Sequence, residues 1–130
     1  MIYKSTNTTV YSAKYHIVWC PKYPRRVLQG HLVGRLHELN TDKVENHGGE
    51  VIELEIMPDH VHLLAEIPPQ IALSKIMHAI KRQSSRVLRS EYPHLLRLPS
   101  LWTRSWFVST VGGAPLDVVR RYVENQKVTA

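Results

Sequence analysis

Between Val51 and Ile67 the chain alternates apolar and polar residues with a period of two, interrupted once at Pro58-Asp59. Ile52, Leu54 and Ile56 fall on one face of a first arm. In the second arm Val61, Leu63, Ala65 and Ile67 make an apolar face, and His60, His62, Leu64 and Glu66 the opposite one. Pro58-Asp59 suits a tight turn, with proline at the first central position, so the two arms form a hairpin. Upstream, Tyr11 to Trp19 reads as a strand with Tyr15, Ile17 and Trp19 on one side and His16 and Val18 on the other. Pro21 and Pro24 end it. Leu28, Leu32, Leu36, Leu39 and Val44 lie near helical spacing and predict a helix from Val27 to His47, stopped by Gly48-Gly49. Pro68-Pro69 closes the hairpin. The next helix runs from Leu73 to Glu91: Leu73, Ile76, Met77, Ile80, Val87 and Leu88 form an apolar stripe, and Lys75, Arg82, Arg86 and Arg89 lie almost opposite. Tyr92-Pro93 ends it, and a loop continues through Pro99. Trp102 to Val111, rich in aromatic and β-branched residues, predicts a fourth strand. Gly112-Gly113 follows, and a last helix runs from Pro115 to about Lys127.

The order β-α-β-β-α-β-α predicts an α+β fold. Its antiparallel sheet has four to five strands with helices packed on one face, similar to a ferredoxin-like or RNA-recognition-motif layout, and a C-terminal helix is added. A chain of 130 residues makes one domain with a real core. Residues 1–111 form the sheet–helix core, 112–113 a hinge and 114–130 the terminal helix. The 43% hydrophobic fraction is ordinary, and no apolar run approaches membrane-spanning length. With no apolar leader at the N-terminus, a cytoplasmic protein without a membrane partner is expected. Cys20 is alone, which excludes an intramolecular disulfide framework and reads as a packed thiol. The net charge of +6 and pI of 9.7 favour a polyanionic partner, nucleic acid first.

Charge and pattern together single out candidate chemistry. His60 and His62 share a strand face, with Cα atoms roughly 6–7 Å apart, so two neutral imidazoles could converge on one divalent cation. A polar sheet face that happens to carry two histidines is the bland alternative. His16 could share that face. Lys22, Arg25 and Arg26 around Tyr23 make a basic loop with an aromatic, suited to phosphate and base contact or to a solvated connector. A stripe such as Arg82, Arg86 and Arg89 is more often a solvated helix face, and its lack of interspersed acids shifts the reading modestly towards a DNA-facing role. Gly112 and Gly113 serve as a strand-to-helix turn or as a hinge. In the last helix Leu116, Val119 and Val123 form the packing stripe. Tyr122 lies at its border, one turn from Gln126, either as a core-edge aromatic or as an attacking phenol.

Four stretches carry a resemblance: Tyr15-His-Ile-Val-Trp-Cys-Pro-Lys22, Met57-Pro-Asp-His-Val-His-Leu-Leu64, Leu101-Trp-Thr-Arg-Ser-Trp-Phe-Val108 and Arg121-Tyr-Val-Glu-Asn-Gln126. In type and order the chain resembles the HUH-type single-tyrosine transposases of small bacterial and archaeal insertion sequences, the IS200-like family. The resemblance implies that His60-Val61-His62 is the HUH motif, Tyr122 the nucleophile and Gln126 the third metal ligand. It further implies a magnesium or manganese ion, although two imidazoles and an amide suit manganese, cobalt, nickel or zinc better on ligand grounds. The implied partners are single-stranded DNA with hairpin ends and a second copy of the chain, forming a homodimer in which Tyr122 reaches the partner's histidines. The implied reaction cleaves and rejoins insertion-sequence ends through a 5′-phosphotyrosine. The rival readings are another HUH endonuclease, of the replication-initiator or relaxase type, and a non-catalytic single-strand nucleic-acid-binding module.

Overall fold

The structure is a computed structural model that describes residues 4–5, 10–23, 25–111 and 121–125. Two short strands, β1 (Lys4–Ser5) and β2 (Val10–Tyr11), pair as a small sheet of their own. The main sheet is built from β3 (Lys14–Trp19), β4 (Glu50–Met57), β5 (His60–Glu66) and β6 (Phe107–Thr110). Its order is β4-β5-β3-β6, with every pair antiparallel. Helix α1 (His31–Asn46) connects β3 to β4, and α2 (Leu73–Glu91) connects β5 towards β6. This is the interleaved arrangement expected of a ferredoxin-like fold. Residues 121–125 are helical.

One side of the sheet is the core side. Ile17, Trp19, Val61, Leu63 and Ala65 are fully buried in one cluster with Leu32 and Leu36 of α1 and Ile76, Met77 and Ile80 of α2. Burying each large aliphatic side chain contributes roughly 1.5–3 kcal/mol, so the helices are held to this face and leave the other side for chemistry. The period-two pattern of β5 is obeyed: Val61, Leu63 and Ala65 are buried, whereas His60, His62 and Leu64 are half-buried on the other face. Glu66 departs from its row. It is buried, and one carboxylate oxygen accepts the Ala13 N–H at 2.8 Å.

Four boundaries differ from the sequence expectation, each for a local reason. The first predicted strand is split, because Ser12 and Ala13 leave the ladder between β2 and β3. Helix α1 begins at His31 rather than Val27. Gly30 takes a φ of 74°, a left-handed conformation that breaks the helix, and the Leu28 N–H bonds the Pro58 carbonyl at 3.0 Å. Leu28 is therefore buried as an anchor of the connector, and its helical spacing from Leu32 is coincidental. In β4 the register shifts between Val51 and Glu53, so a bulge at Ile52 changes the phase. Val51, Leu54 and Ile56 pack towards the core, while Ile52 is 44% exposed. Finally, the predicted strand from Trp102 shrinks to β6. Trp102 makes one isolated bridge with Pro21, and residues 103–106 turn away from the ladder before Phe107 rejoins it.

The glycine stop after α1 holds. Gly48 has a φ of 83°, and the Gly49 N–H closes on the Val44 carbonyl at 3.0 Å. A Cβ at Gly49 would meet Val44 Cγ1 at 2.9 Å and the Glu66 carbonyl at 3.0 Å, so only glycine fits between the helix end and β5.

Candidate active site

The Pro58-Asp59 turn and β5 place His60 and His62 on the face away from the helices. Asp59 is buried, and its Oδ1 lies 2.9 Å from His60 Nδ1. A carboxylate accepts, so Nδ1 carries the proton and Nε2 keeps its lone pair, the arrangement that orients a metal-binding histidine. His62 pairs across the ladder with Val18 of β3 and with Glu55 of β4. Burial first, and the neighbouring His16 second, hold its pKa below the usual imidazole value, which favours the neutral form that can act as a ligand. His16 Nδ1 lies 3.2 Å from His62 Nε2, so the sheet brings all three histidines to one face. A cation taken at His62 Nε2 would displace that contact, and one taken at Nδ1 would leave it in place.

Among the described residues no group of three or more His, Cys, Asp and Glu side chains forms a closed metal cage. The donors present fit an open half-site of two imidazoles, one of them oriented by a carboxylate, with room for oxygen ligands from elsewhere. Gln126, expected as third ligand, lies outside the described residues, as do Gly112 and Gly113.

Tyr122 belongs to the same face. Glu55, His62, Val18 and Phe107 are successive ladder partners across the four strands and form one transverse row. The Tyr122 ring packs on Phe107, with centroids 5.5 Å apart and planes tilted by 45°. His62 and Phe107 are two strand spacings apart, about 10 Å between Cα atoms. The Tyr122 hydroxyl lies 3.2 Å from Ser105 Oγ. Burial raises the phenol above its ordinary pKa, the Ser105 hydrogen bond opposes that, and Cys20 adds to it. Cys20 itself is fully buried.

The basic residues sit elsewhere. Arg82, Arg86 and Arg89 line a groove with Ser85, Ser90 and Leu96 on the outer side of α2, across the helix layer from the histidines. Arg82 and Arg86 are exposed, whereas Arg89 uses Nη2 to donate to the Leu98 carbonyl at 3.0 Å. Arg25 lines a smaller recess with His94 and Arg97 from the 3-10 turn Pro93–Arg97. Arg26 is exposed beside it. Tyr23 is 40% exposed, with a φ of 51°, and Lys22 Nζ lies 5.6 Å from its ring centroid. Among the described residues no helix is long and apolar enough to cross a membrane.

The family described as IS200-like transposases matches residues 9–126 of this chain. The chain belongs to that family. It is similar to the ISDra2 transposase TnpA of Deinococcus radiodurans, at 38% identity over 120 residues, covering 90% of this chain and 86% of that protein. It is also similar to the transposase of insertion sequence IS200 from Salmonella typhimurium, at 31% identity, covering 96% of this chain and 86% of the relative. Among solved structures, a Deinococcus radiodurans protein assigned as a transposase superposes with a TM-score of 0.85 at 33% identity, covering 95% of this chain and 97% of that one. A REP-associated tyrosine transposase, solved bound to a REP hairpin, shares the fold at a TM-score of 0.58 and 14% identity, covering 94% of this chain and 68% of that one. The function is that of a single-strand DNA transposase.

Several residues of this transposase site escaped sequence reading. The sequence pattern gives Asp59 only a turn role, although an acid directly before a candidate ligand is a usable signal. It gives Ser105 and Phe107 only strand positions. Their proximity to Tyr122 depends on a contact between residues far apart in sequence and leaves no local pattern.

Proposed function

We propose that this transposase cuts and rejoins single-stranded element ends through a 5′-phosphotyrosine at Tyr122, assisted by a divalent cation at His60 and His62. The observation that carries this reading is that both imidazoles and the tyrosine ring lie on the same face of the sheet, opposite α1 and α2. The Tyr122 oxygen attacks the scissile phosphorus, the new P–O bond forms as the bond to the 3′-oxygen breaks, and the phosphodiester energy is kept for rejoining. The phenol proton leaves to solvent, and the departing 3′-oxygen takes one up. When bound, the cation supplies Lewis-acid stabilisation of the charge that develops on a non-bridging phosphate oxygen. His60 and His62 hold it, with Gln126 as third ligand. Magnesium or manganese is the ion, manganese binding more tightly to this nitrogen-rich set.

The DNA partner is a single strand with hairpin ends. Lys22, Tyr23, Arg25 and Arg26, with Arg82, Arg86 and Arg89, meet its backbone. Because the α2 groove lies across the helix layer from the histidines, a folded DNA element held there has a flanking strand that must pass round the sheet edge to reach them. Binding should weaken steeply with salt, since each phosphate neutralised releases counterions. Titrating a labelled hairpin strand at increasing salt checks this. Arg82→Ala/Arg86→Ala should flatten the log–log slope by about 1.4–1.8, at roughly 0.7–0.9 per contact. Plain duplex binding as well as the hairpin would sink the partner assignment.

The chain works as a homodimer, with Gly112-Gly113 as the hinge before the terminal helix. The decisive test of the chemistry is incubation of a labelled single-stranded element end with the protein and manganese. A covalent protein–DNA adduct should form, and Tyr122→Phe should lose it completely while still binding DNA. An adduct that survives Tyr122→Phe assigns the wrong nucleophile. Binding without any cleavage, in any divalent metal, would favour the non-catalytic module.

A further inference from the structure

We propose that the recess between Arg25 and the 3-10 turn Pro93–Arg97 holds one backbone phosphate of the strand that joins the DNA hairpin to the scissile phosphate. Arg97 is the principal contact, and the strand passes from the α2 groove to His60 over this turn. This route rests on the reading of the DNA partner as a hairpin with a single-stranded flank, and names where that flank runs.

The two basic clusters meet at one end of the fold. Arg89, near the end of α2, donates to the Leu98 carbonyl at 3.0 Å, and three residues on the Leu101 carbonyl accepts the Lys22 N–H at 2.7 Å. Lys22 follows β3 shortly after Trp19, whose ladder partner is Val61, the neighbour of His60. The last turn of α2, the 3-10 turn and the basic loop therefore gather at the end of the sheet where β5 starts. From Arg25 the connector continues to Leu28, whose N–H bonds the carbonyl of Pro58 at 3.0 Å, two residues before His60.

The 3-10 turn faces both clefts. At three residues per turn, His94 and Arg97 fall on one side and Leu95 and Leu98 on another, with the Leu98 N–H closing on the Leu95 carbonyl at 3.1 Å. Leu95 and Leu98 are buried and floor the recess with Val27, whereas His94 and Arg97 are exposed at its rim with Arg25. Leu96 lies between them, 59% exposed, and lines the α2 groove instead. Arg97 Nε donates to the His94 carbonyl at 3.1 Å, which fixes the guanidinium and keeps its two terminal nitrogens as donors for an anion. Glu91, the acid that ends α2, is neutralised by Arg35 of α1, with Nε and Nη2 at 3.0 and 3.1 Å. The recess measures about 70 Å³. That is little more than two waters at roughly 30 Å³ each, which suits a phosphate and is too small for a base. The contact is therefore to the backbone and indifferent to sequence.

The test compares two labelled probes on the full chain without divalent metal, so that nothing is cut. One is the element-end hairpin alone, and the other is the same hairpin carrying its single-stranded flank through the cleavage site. Arg97→Ala should weaken the flanked probe by about five- to tenfold at low salt, the size expected for one charge-assisted phosphate contact, and leave the bare hairpin unchanged. The log–log salt slope of the flanked probe should fall by about 0.7. Flank phosphates are then replaced one at a time by neutral methylphosphonate. One position should weaken wild type as much as Arg97→Ala does and weaken the variant no further, because both changes remove the same contact. If Arg97→Ala loosens the turn by losing its bond to His94, Arg97→Gln keeps a donor there and gives the same two readings. Equal loss on both probes would put the recess under the hairpin and overturn the route. An undiminished affinity for the flanked probe, or the absence of any methylphosphonate position to which the variant is indifferent, overturns the phosphate assignment. The reading of the DNA partner fails separately: wild type binding plain duplex as well as the hairpin defeats it, whatever the Arg97 variants do.

Discussion

Replacing His60 and His62 together by alanine should abolish cleavage, by on the order of 10³-fold or more, while hairpin binding and folding survive. The magnitude follows from losing several kcal/mol of charge stabilisation at the phosphate, with about 1.4 kcal/mol for each factor of ten. Folding should survive because both side chains are half-buried on the face away from the helices, whereas Val61 and Leu63 between and beside them carry the core contacts. Adduct formation in manganese, paired with a thermal melt and a hairpin-binding titration, reads all three properties. Cleavage at the normal rate by the double variant would remove the metal from this face. Asp59→Ala should be graded rather than absolute: losing the group that orients His60 costs about 10–100-fold in metal affinity, recoverable with more manganese. Acid gives the same answer with a definite sign. Protonation removes the lone pair of an imidazole ligand. His62 is held below its ordinary value of 6.5 by burial first and by His16 second, so it keeps its ligand form to lower pH than a free histidine would. Metal affinity should be flat above neutrality and decline once the pH drops below the ordinary imidazole range.

The second large effect concerns which chain supplies the tyrosine. Tyr122→Phe and His60→Ala/His62→Ala should each be inactive alone. If sites are composite, mixing them under subunit exchange rebuilds one complete site in each heterodimer. With random pairing about a quarter of the wild-type site number returns. If each chain serves itself, every combination lacks either the phenol or the imidazoles, and the mixture stays dead even when heterodimers are shown to form. The observed contacts sharpen this experiment. Tyr122 rests on Phe107 and Ser105 of its own chain, so a composite site requires the helix to give up both contacts before it crosses to the partner. Activity on mixing would therefore also report that this resting contact is dissociable.

Much of the fold was legible because its strongest signals are local. The β5 alternation, the Pro58-Asp59 turn and the apolar stripe of α2 each lie within a single element, and α2 spans Leu73–Glu91 as its periodicity predicts. The misreadings arose where tertiary bonding overrides local pattern. Leu28 has helical spacing but serves the connector through the Pro58 carbonyl. Ile52 alternates correctly by count, yet a one-residue bulge turns it outwards. Trp102 to Trp106 has strand-like composition, but Ser84 and Lys81 draw part of it off the ladder towards α2. The site divides in the same way. His60 and His62 are neighbours on one strand and were visible as a pair, whereas the Ser105–Tyr122 contact joins segments that the sequence separates.

The sheet order also dictates when the protein can become a stable object during synthesis. Strand β3 lies between β5 and β6, and Tyr15, paired with Ala65 on one side, finds its second ladder partner only at Thr110. Until β6 has left the ribosome, one edge of β3 stays open, with unpaired backbone groups and nothing to seal Val18 against solvent. Such long-range closure makes folding slow relative to a helical protein of similar size, and leaves a nascent chain exposed to misassociation. Because Tyr122 follows β6 in the chain, the proposed nucleophile emerges only after the last strand needed to complete the sheet. Premature termination anywhere before Phe107 would therefore yield an unclosed, aggregation-prone fragment that also lacks Tyr122, the proposed nucleophile.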